Sequence, residues 1–228
     1  MLAALPAALA ASLTSNRRGF NSQAHQKNRT LMPIRLTSFL ILSFALITSA
    51  CGSSMKKPDI KQNPHPRMRY VITVKVEGAP GSFDSVTGFV QYRVTNERCV
   101  PLQPISGATV PPEEDLPLAL TRVNENEYKG TVYGDLLQDE DYYGLGVCRW
   151  SMVAVVTELK KDAVTFSPDL SSSELAGREP KSTYFWKGDY LNAETERSEI
   201  GNTQRAYFKH EIQGELFTVT LTSEEAFQ

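Results

Sequence analysis

The chain has 228 residues, with 24 lysine and arginine residues against 26 aspartate and glutamate residues, and a net charge of −2 at pH 7. All the acidic residues follow Cys51, whereas five basic ones precede it, so the part after Cys51 keeps 19 basic residues and has a net charge of −7. Such an acidic surface argues against nucleic acid as a partner and against electrostatic adhesion to anionic lipid. The length after Cys51 fits one domain with its own core.

Residues 1–31 are rich in alanine and then polar and basic, without an acidic residue. Met32 begins a better export signal than Met1 does, which predicts that residues 1–31 are an extension from a mis-assigned start codon. The alternative is a twin-arginine export motif, which residues 16–20 faintly resemble through Arg17 and Arg18.

Residues 32–50 have the three parts of a secretory signal peptide. Arg35 gives a positive start, residues 36–47 are apolar and uncharged, and residues 48–50 are small. The apolar part is too short to cross a hydrocarbon core of roughly 30 Å.

Cys51 follows the small residues directly. This ending resembles the lipobox of bacterial lipoproteins, although Thr48 stands where that family usually has leucine. The resemblance implies a lipidated Cys51 that becomes the mature N-terminus. With Gly52 and Ser53 next, and no aspartate at the second position, it also implies an outer-membrane anchor facing the periplasm. The alternative is an ordinary secretory signal followed by a chance cysteine.

Three cysteines occur in the chain, an odd number for an exported protein. Lipidation of Cys51 would leave Cys99 and Cys148 to form a disulfide in an oxidising periplasm. The alternative is two buried free thiols.

Residues 51–68 are polar and interrupted by prolines, which predicts a flexible linker before a domain at residues 69–228. Apolar and polar residues alternate in 70–77 and 90–95, which predicts two half-buried strands. Residues 101–117 contain five prolines, which predicts a surface loop.

The second half of the domain continues with short elements. Residues 118–123 and 128–133 flank an asparagine-containing turn, which predicts a hairpin. Residues 146–159 are the longest strand candidate. One of its faces is predicted to carry Cys148, Trp150, Met152, Ala154 and Val156.

The remaining elements are predicted from alternation and turn residues. Residues 164–166 and 183–186 are short strands, with one capped helical turn at 171–175. Residues 187–203 are predicted to be a loop. A final hairpin is predicted from 205–212 and 215–222.

Many short strands without a long helix predict an all-β fold, a single antiparallel β-sandwich. Cys148 and Trp150 lie two residues apart. This pair loosely resembles immunoglobulin-like cores, where a tryptophan packs on a disulfide between two sheets, although there the tryptophan lies between the two cysteines in sequence. The resemblance implies the architecture and not the family.

Two clusters are candidates for binding a partner. The first is the acidic segment that contains Asp139, Glu140 and Asp141, whose carboxylates suit acid–base work or calcium, or form a solvated turn. The second is Trp186 with Tyr190, which suit a protein or sugar contact, or core packing.

The sequence contains no Gly-x-Ser-x-Gly elbow and no glycine-rich phosphate loop, and its three histidines are not spaced to bind a metal. We therefore expect no catalytic residues, cofactor or metal site. The leading hypothesis is a lipoprotein that binds another protein, with neutralisation of an incoming toxin as one version. The alternatives are a structural component of the envelope and, third, a hydrolase that uses the carboxylates of residues 135–141.

Overall fold

The structure, a computed structural model, describes residues 58–227, so the predicted signal peptide and Cys51 lie outside the described residues. Within this range the chain is mostly β and forms two sheets packed against each other, which confirms the predicted all-β sandwich. None of the helices in the described range is long and apolar enough to cross a membrane.

The strands fall into two sets. The first sheet contains β1 (Arg69–Glu77), β4 (Thr121–Asn124), β5 (Glu127–Tyr133), β9 (Lys181–Trp186) and β11 (Leu216–Glu225). The second sheet contains β2 (Ser85–Val94), β3 (Glu113–Leu118), β6 (Trp150–Lys161), β7 (Val164–Phe166), β8 (Asp169–Ser171) and β10 (Arg197–Glu199). Two short helices, α1 (Ser172–Gly177) and α2 (Lys187–Leu191), lie between strands.

The strand order is β4–β5–β1–β11–β9 in the first sheet and β10–β7–β6–β2–β3 in the second, with β8 also paired to β6. The strand pairs are antiparallel except that β10 runs parallel to β7. The loop predicted at residues 187–203 is corrected here, because Arg197–Glu199 forms β10 at this edge of the sheet.

The core lies between the sheets. Along β1, Tyr70, Ile72, Val74 and Val76 are buried, as the alternating pattern predicts. Three phenylalanines, Phe166, Phe185 and Phe217, bring rings from both sheets together, with centroids 5.2–5.4 Å apart. Edge-to-face and stacked aromatic pairs of this kind add to the free energy gained by burying the rings.

The central strand β6 changes its buried face part-way along. Its pairing with β2 skips one residue, because Gln91 lies opposite Ala154 and Tyr92 lies opposite Met152. The extra residue, Val153, is a β-bulge. The face predicted to run from Trp150 to Val156 is therefore wrong beyond Met152, and the buried positions there are Val155, Thr157 and Leu159.

Part of the proline-rich segment forms a strand. Residues 113–118 form β3, although residues 101–117 were predicted to be a loop. The strand tolerates Pro117 because β3 lies at the edge of its sheet, where one side of the backbone needs no hydrogen-bonded partner.

The predicted final hairpin is wrong in its first strand. β11 forms as predicted, but residues 205–212 run through two short 3₁₀ helices, Arg205–Tyr207 and His210–Glu215. The reason is that β1 and β9 already occupy both edges of β11. No free edge of β11 is left for residues 205–212.

The segment predicted as a linker joins the fold before residue 69. The backbone N–H of Asn63 donates to the Leu136 carbonyl (2.7 Å), and that of Gln138 donates to the Lys61 carbonyl (2.9 Å). The folded part therefore begins near residue 60. We call the end of the sandwich where residues 60–68 pack the tether end.

Helix α1 begins with the predicted cap. The Ser171 hydroxyl accepts a hydrogen bond from the Glu174 backbone N–H, and the Glu174 carboxylate accepts one from the Ser171 backbone N–H. Lys181 pairs with the same carboxylate, its Nζ lying 3.0 Å from Oε2. Such a capping box satisfies two backbone donors that the first turn leaves unpaired.

Replacing the cap serine should lower stability modestly. We expect Ser171→Ala to reduce the free energy of unfolding in urea by about 1 kcal/mol, because the Glu174 N–H loses its acceptor. Ser172→Ala is the matched control, since that serine is exposed and follows the cap. Equal unfolding midpoints for the two variants would contradict a stabilising role for the cap.

Candidate functional site

Two features share the tether end: a set of exposed apolar side chains on two loops, and a cleft beside them. Strand β1 begins and β5 ends here, because Arg69 pairs with Tyr133. Strand β2 also ends where β6 begins, because Val94 pairs with Trp150. Both sheets therefore contribute chain ends and loops to this surface.

The disulfide predicted between Cys99 and Cys148 is confirmed, with an Sγ–Sγ distance of 2.04 Å. It joins the segment after β2 to the segment before β6, which are neighbouring strands of one sheet. The bridge therefore does not connect the two sheets as the immunoglobulin-like resemblance implies.

The side chain of Asn96 holds the same two segments together. Its Nδ2 donates to the Val147 carbonyl (2.7 Å), and its Oδ1 accepts from the Arg149 N–H (2.6 Å). The loops on either side of the disulfide are thus fixed by one covalent bond and by several hydrogen bonds, which include one from the Thr95 N–H to the Arg149 carbonyl (2.9 Å).

These loops expose apolar side chains. Ile105 is 103% exposed, and four neighbours in the two loops are more than half exposed. We define the apolar loop patch as Leu102, Ile105, Val110, Leu145 and Val147. Scattered single exposed apolar residues are normal on protein surfaces, whereas a group on adjoining loops is typical of an interaction surface.

A cleft of about 790 Å³ opens at the tether end. Its apolar lining comprises Pro64, Met68, Tyr70, Leu137, Trp150, Met152 and Leu175. Its polar lining comprises Asn63, Asp135, Gln138, Asp139, Ser151 and Ser172, with Gly134 between. The cleft is thus built from the linker end, the segment after β5, the start of β6 and helix α1.

The acidic segment predicted as a partner site has structural contacts. Asp139 lines the cleft, and its Oδ1 accepts from the Trp150 N–H (2.9 Å). The Glu140 carboxylate pairs with the Lys61 ammonium (2.8 Å), and Asp141 accepts from the Leu145 N–H (3.0 Å). Each carboxylate therefore has a partner within the fold, and of the three only Asp139 lines the cleft. Within residues 58–227, no group of three or more His, Cys, Asp or Glu side chains could hold a metal ion.

The aromatic pair predicted as a second candidate lies at the other end of the sandwich. Trp186 pairs with Leu216 at the start of β11, whereas the end of β11 pairs with the start of β1 at the tether end. Tyr190 is 6% exposed, and its hydroxyl donates to the Ser82 carbonyl. Tyr190 therefore packs in the core, which was the alternative to a binding role. The acidic segment and the Trp186–Tyr190 pair lie at different ends of the sandwich and do not form one site.

Two tyrosines near the cleft have raised pKa values, chiefly because they are buried. Burial raises the pKa of Tyr92, and the carboxylate of Asp135 raises it further. Burial also raises the pKa of Tyr70, with Glu225 and then Asp135 adding to it and Arg178 opposing it. Asp135 itself accepts backbone N–H bonds from Arg67 (2.9 Å) and Met68 (3.0 Å), which fixes its carboxylate beside the cleft.

The sequence reasoning missed both the patch and the cleft. Leu102, Ile105 and Val110 were visible as apolar residues inside a proline-rich loop, which was a usable indication of an exposed contact surface. The cleft gave no such indication, since its lining comes from segments as distant as Asn63 and Leu175. Comparison with known proteins finds no family model, no curated protein and no solved structure that matches the chain.

Proposed function

We propose that the protein is a lipid-anchored protein of the bacterial cell envelope that binds another protein through the apolar loop patch. The observation that carries the proposal is the exposure of five large apolar side chains on two loops joined by the Cys99–Cys148 disulfide. Fixing those loops in advance lowers the ordering cost of an interface, which is the usual benefit of a preorganised binding surface.

The cellular address in this proposal comes from the sequence. Residues 32–50 have the pattern of an export signal, and Cys51 stands at the lipidation position of the lipobox-like ending. A disulfide between Cys99 and Cys148 supports the same address, because disulfides persist in oxidising compartments such as the periplasm.

The patch can be tested by cross-linking in the native envelope. A photo-reactive amino acid placed at Val147 of the full chain should capture a protein partner. We expect Ile105→Asp to reduce that capture about tenfold or more, because a charge within an apolar contact removes a main source of binding energy. Captured proteins are then identified by mass spectrometry.

The matched control is Ile200→Asp, which introduces the same charge at an isoleucine that is 76% exposed and lies outside the patch. Equal capture by the two variants would overturn the proposed interface. A secreted toxin as the captured protein would establish the neutralising version of the function. Envelope assembly or peptidoglycan-associated proteins would establish the structural alternative.

A further inference from the structure

The tether-end cleft has the dimensions of a small-molecule site. Its volume of about 790 Å³ lies within the range in which proteins bind ligands of moderate size. Its lining combines seven apolar residues with six polar ones, so a ligand with an apolar part and a polar group can be accommodated. The cleft shares no residue with the apolar loop patch.

The charge of the lining has one sign. Among the residues that line the cleft, Asp135 and Asp139 carry the formal charges, and both are carboxylates. The nearby cation Lys61 pairs with Glu140, which does not line the cleft. A ligand that enters the cleft therefore meets a lining whose formal charge is negative, with both carboxylates held by backbone N–H groups.

The apolar part of the lining suits a cation as well. Trp150 and Tyr70 contribute aromatic rings, and Met68 and Met152 contribute thioethers. Aromatic ring faces attract alkylammonium and guanidinium groups, and tryptophan does so most strongly. Thioether side chains adapt their shape to an apolar chain in the same space.

Trp150 has a further property. It is 8% exposed, and its indole Nε1 is a buried donor without a hydrogen-bond partner in the described part of the chain. Buried donors are normally paired, and since an ammonium group offers no acceptor, a water in the cleft completes the bonding of this N–H when a cation is bound.

We propose that the tether-end cleft binds an organic cation, an alkylammonium group on an apolar chain, supplied by a small free amine or by a lysine side chain. Asp139 and Asp135 provide the opposite charge, and Trp150 with the two methionines packs on the chain. This inference goes beyond the proposed function and does not depend on the apolar loop patch.

The test uses the two tryptophans of the chain, one in the cleft and one at the opposite end. The full chain carrying Trp186→Phe, purified in nonionic detergent, leaves Trp150 as the only tryptophan reporter. Its fluorescence is titrated with pentylammonium, pentanol and pentanoate, which share a chain length and differ in charge. We expect pentylammonium to bind about tenfold more tightly than pentanol, with pentanoate weakest.

Calorimetric titration of the unsubstituted chain with the same three probes shows whether Trp186→Phe itself changes the affinities. Nα-acetyl-lysine methylamide then distinguishes the two sources of the cation. Binding of this compound as tight as that of pentylammonium assigns the site to a lysine side chain, and weaker binding assigns it to a small free amine.

Asp139→Asn is the decisive variant. Asparagine removes the charge but keeps the side-chain oxygen that accepts a hydrogen bond from the backbone N–H of Trp150. We expect it to weaken pentylammonium binding about threefold, the contribution of one partly solvated charge pair. Asp141→Asn removes the same charge from the same segment outside the cleft and should leave binding unchanged. Equal binding of the three probes, or equal effects of the two variants, would overturn the inference.

Discussion

Cys51→Ser should release the protein from the membrane fraction. If Cys51 carries the acyl chains, each buried CH₂ contributes about 0.8 kcal/mol, and a single myristoyl chain already gives a binding constant of about 10⁴ M⁻¹. Loss of all the chains should therefore lower membrane partitioning at least about 10⁴-fold. The measurement is the share of the full chain in washed membranes, together with incorporation of labelled palmitate.

Two controls separate the anchor from other causes of membrane attachment. Ser53→Ala changes a neighbouring residue without removing the thiol and should leave both partitioning and labelling intact. Ile105→Asp tests whether the apolar loop patch alone holds the protein on the membrane, since it removes an exposed apolar side chain. Unchanged palmitate labelling of Cys51→Ser would show that the acyl chains are attached elsewhere. It would contradict the proposal that Cys51 is the lipidated residue.

Removing the disulfide should cause the largest loss of folding stability. Cys99 and Cys148 are 49 residues apart in sequence, and closing a loop of this length removes unfolded-chain entropy equivalent to about 4 kcal/mol. We expect the double variant Cys99→Ala, Cys148→Ala to lose about this much free energy of unfolding in urea. Alanine is preferred to serine because both positions are buried, and a buried hydroxyl would add its own cost.

Loss of the disulfide should also weaken partner binding through the apolar loop patch. Reduction of the unsubstituted protein should match the double variant in stability, which separates the bond from the loss of side-chain volume. Capture through Val147 should fall in the same samples, since the disulfide helps to fix the loops that carry the patch. A loss below about 1 kcal/mol, with capture intact, would mean that hydrogen bonds such as those of Asn96 and Thr95 hold the loops without the disulfide.

The sequence predicts the strands best where one face is buried and the other is solvated. β1 and β11 are examples, because period-two alternation directly reflects that environment. It predicts the cap of α1 for a similar reason, since Ser171 and Glu174 act on backbone groups within one turn. Local patterns of this kind can be interpreted without knowing which distant segments pack against them.

The errors arise where the outcome depends on distant partners. The bulge at Val153 is set by the register with β2, some sixty residues earlier in the chain. Residues 205–212 alternate well enough for a strand but find both edges of β11 occupied. The cleft has the same origin, because its lining is assembled only when the segment after β5 packs against residues 60–68.

Because the folded part begins near residue 60, the chain between Cys51 and the domain is short and limits the distance between them. Only residues 52–60 separate Cys51 from the paired segment, which begins at Lys61, and a fully extended chain covers at most about 3.5 Å per residue, or roughly 35 Å in total. For a lipidated Cys51, this is about the thickness of the hydrocarbon layer itself. A partner that binds the tether-end surface would then have to bind close to the bilayer. A large or rigid partner would have to approach along the membrane surface.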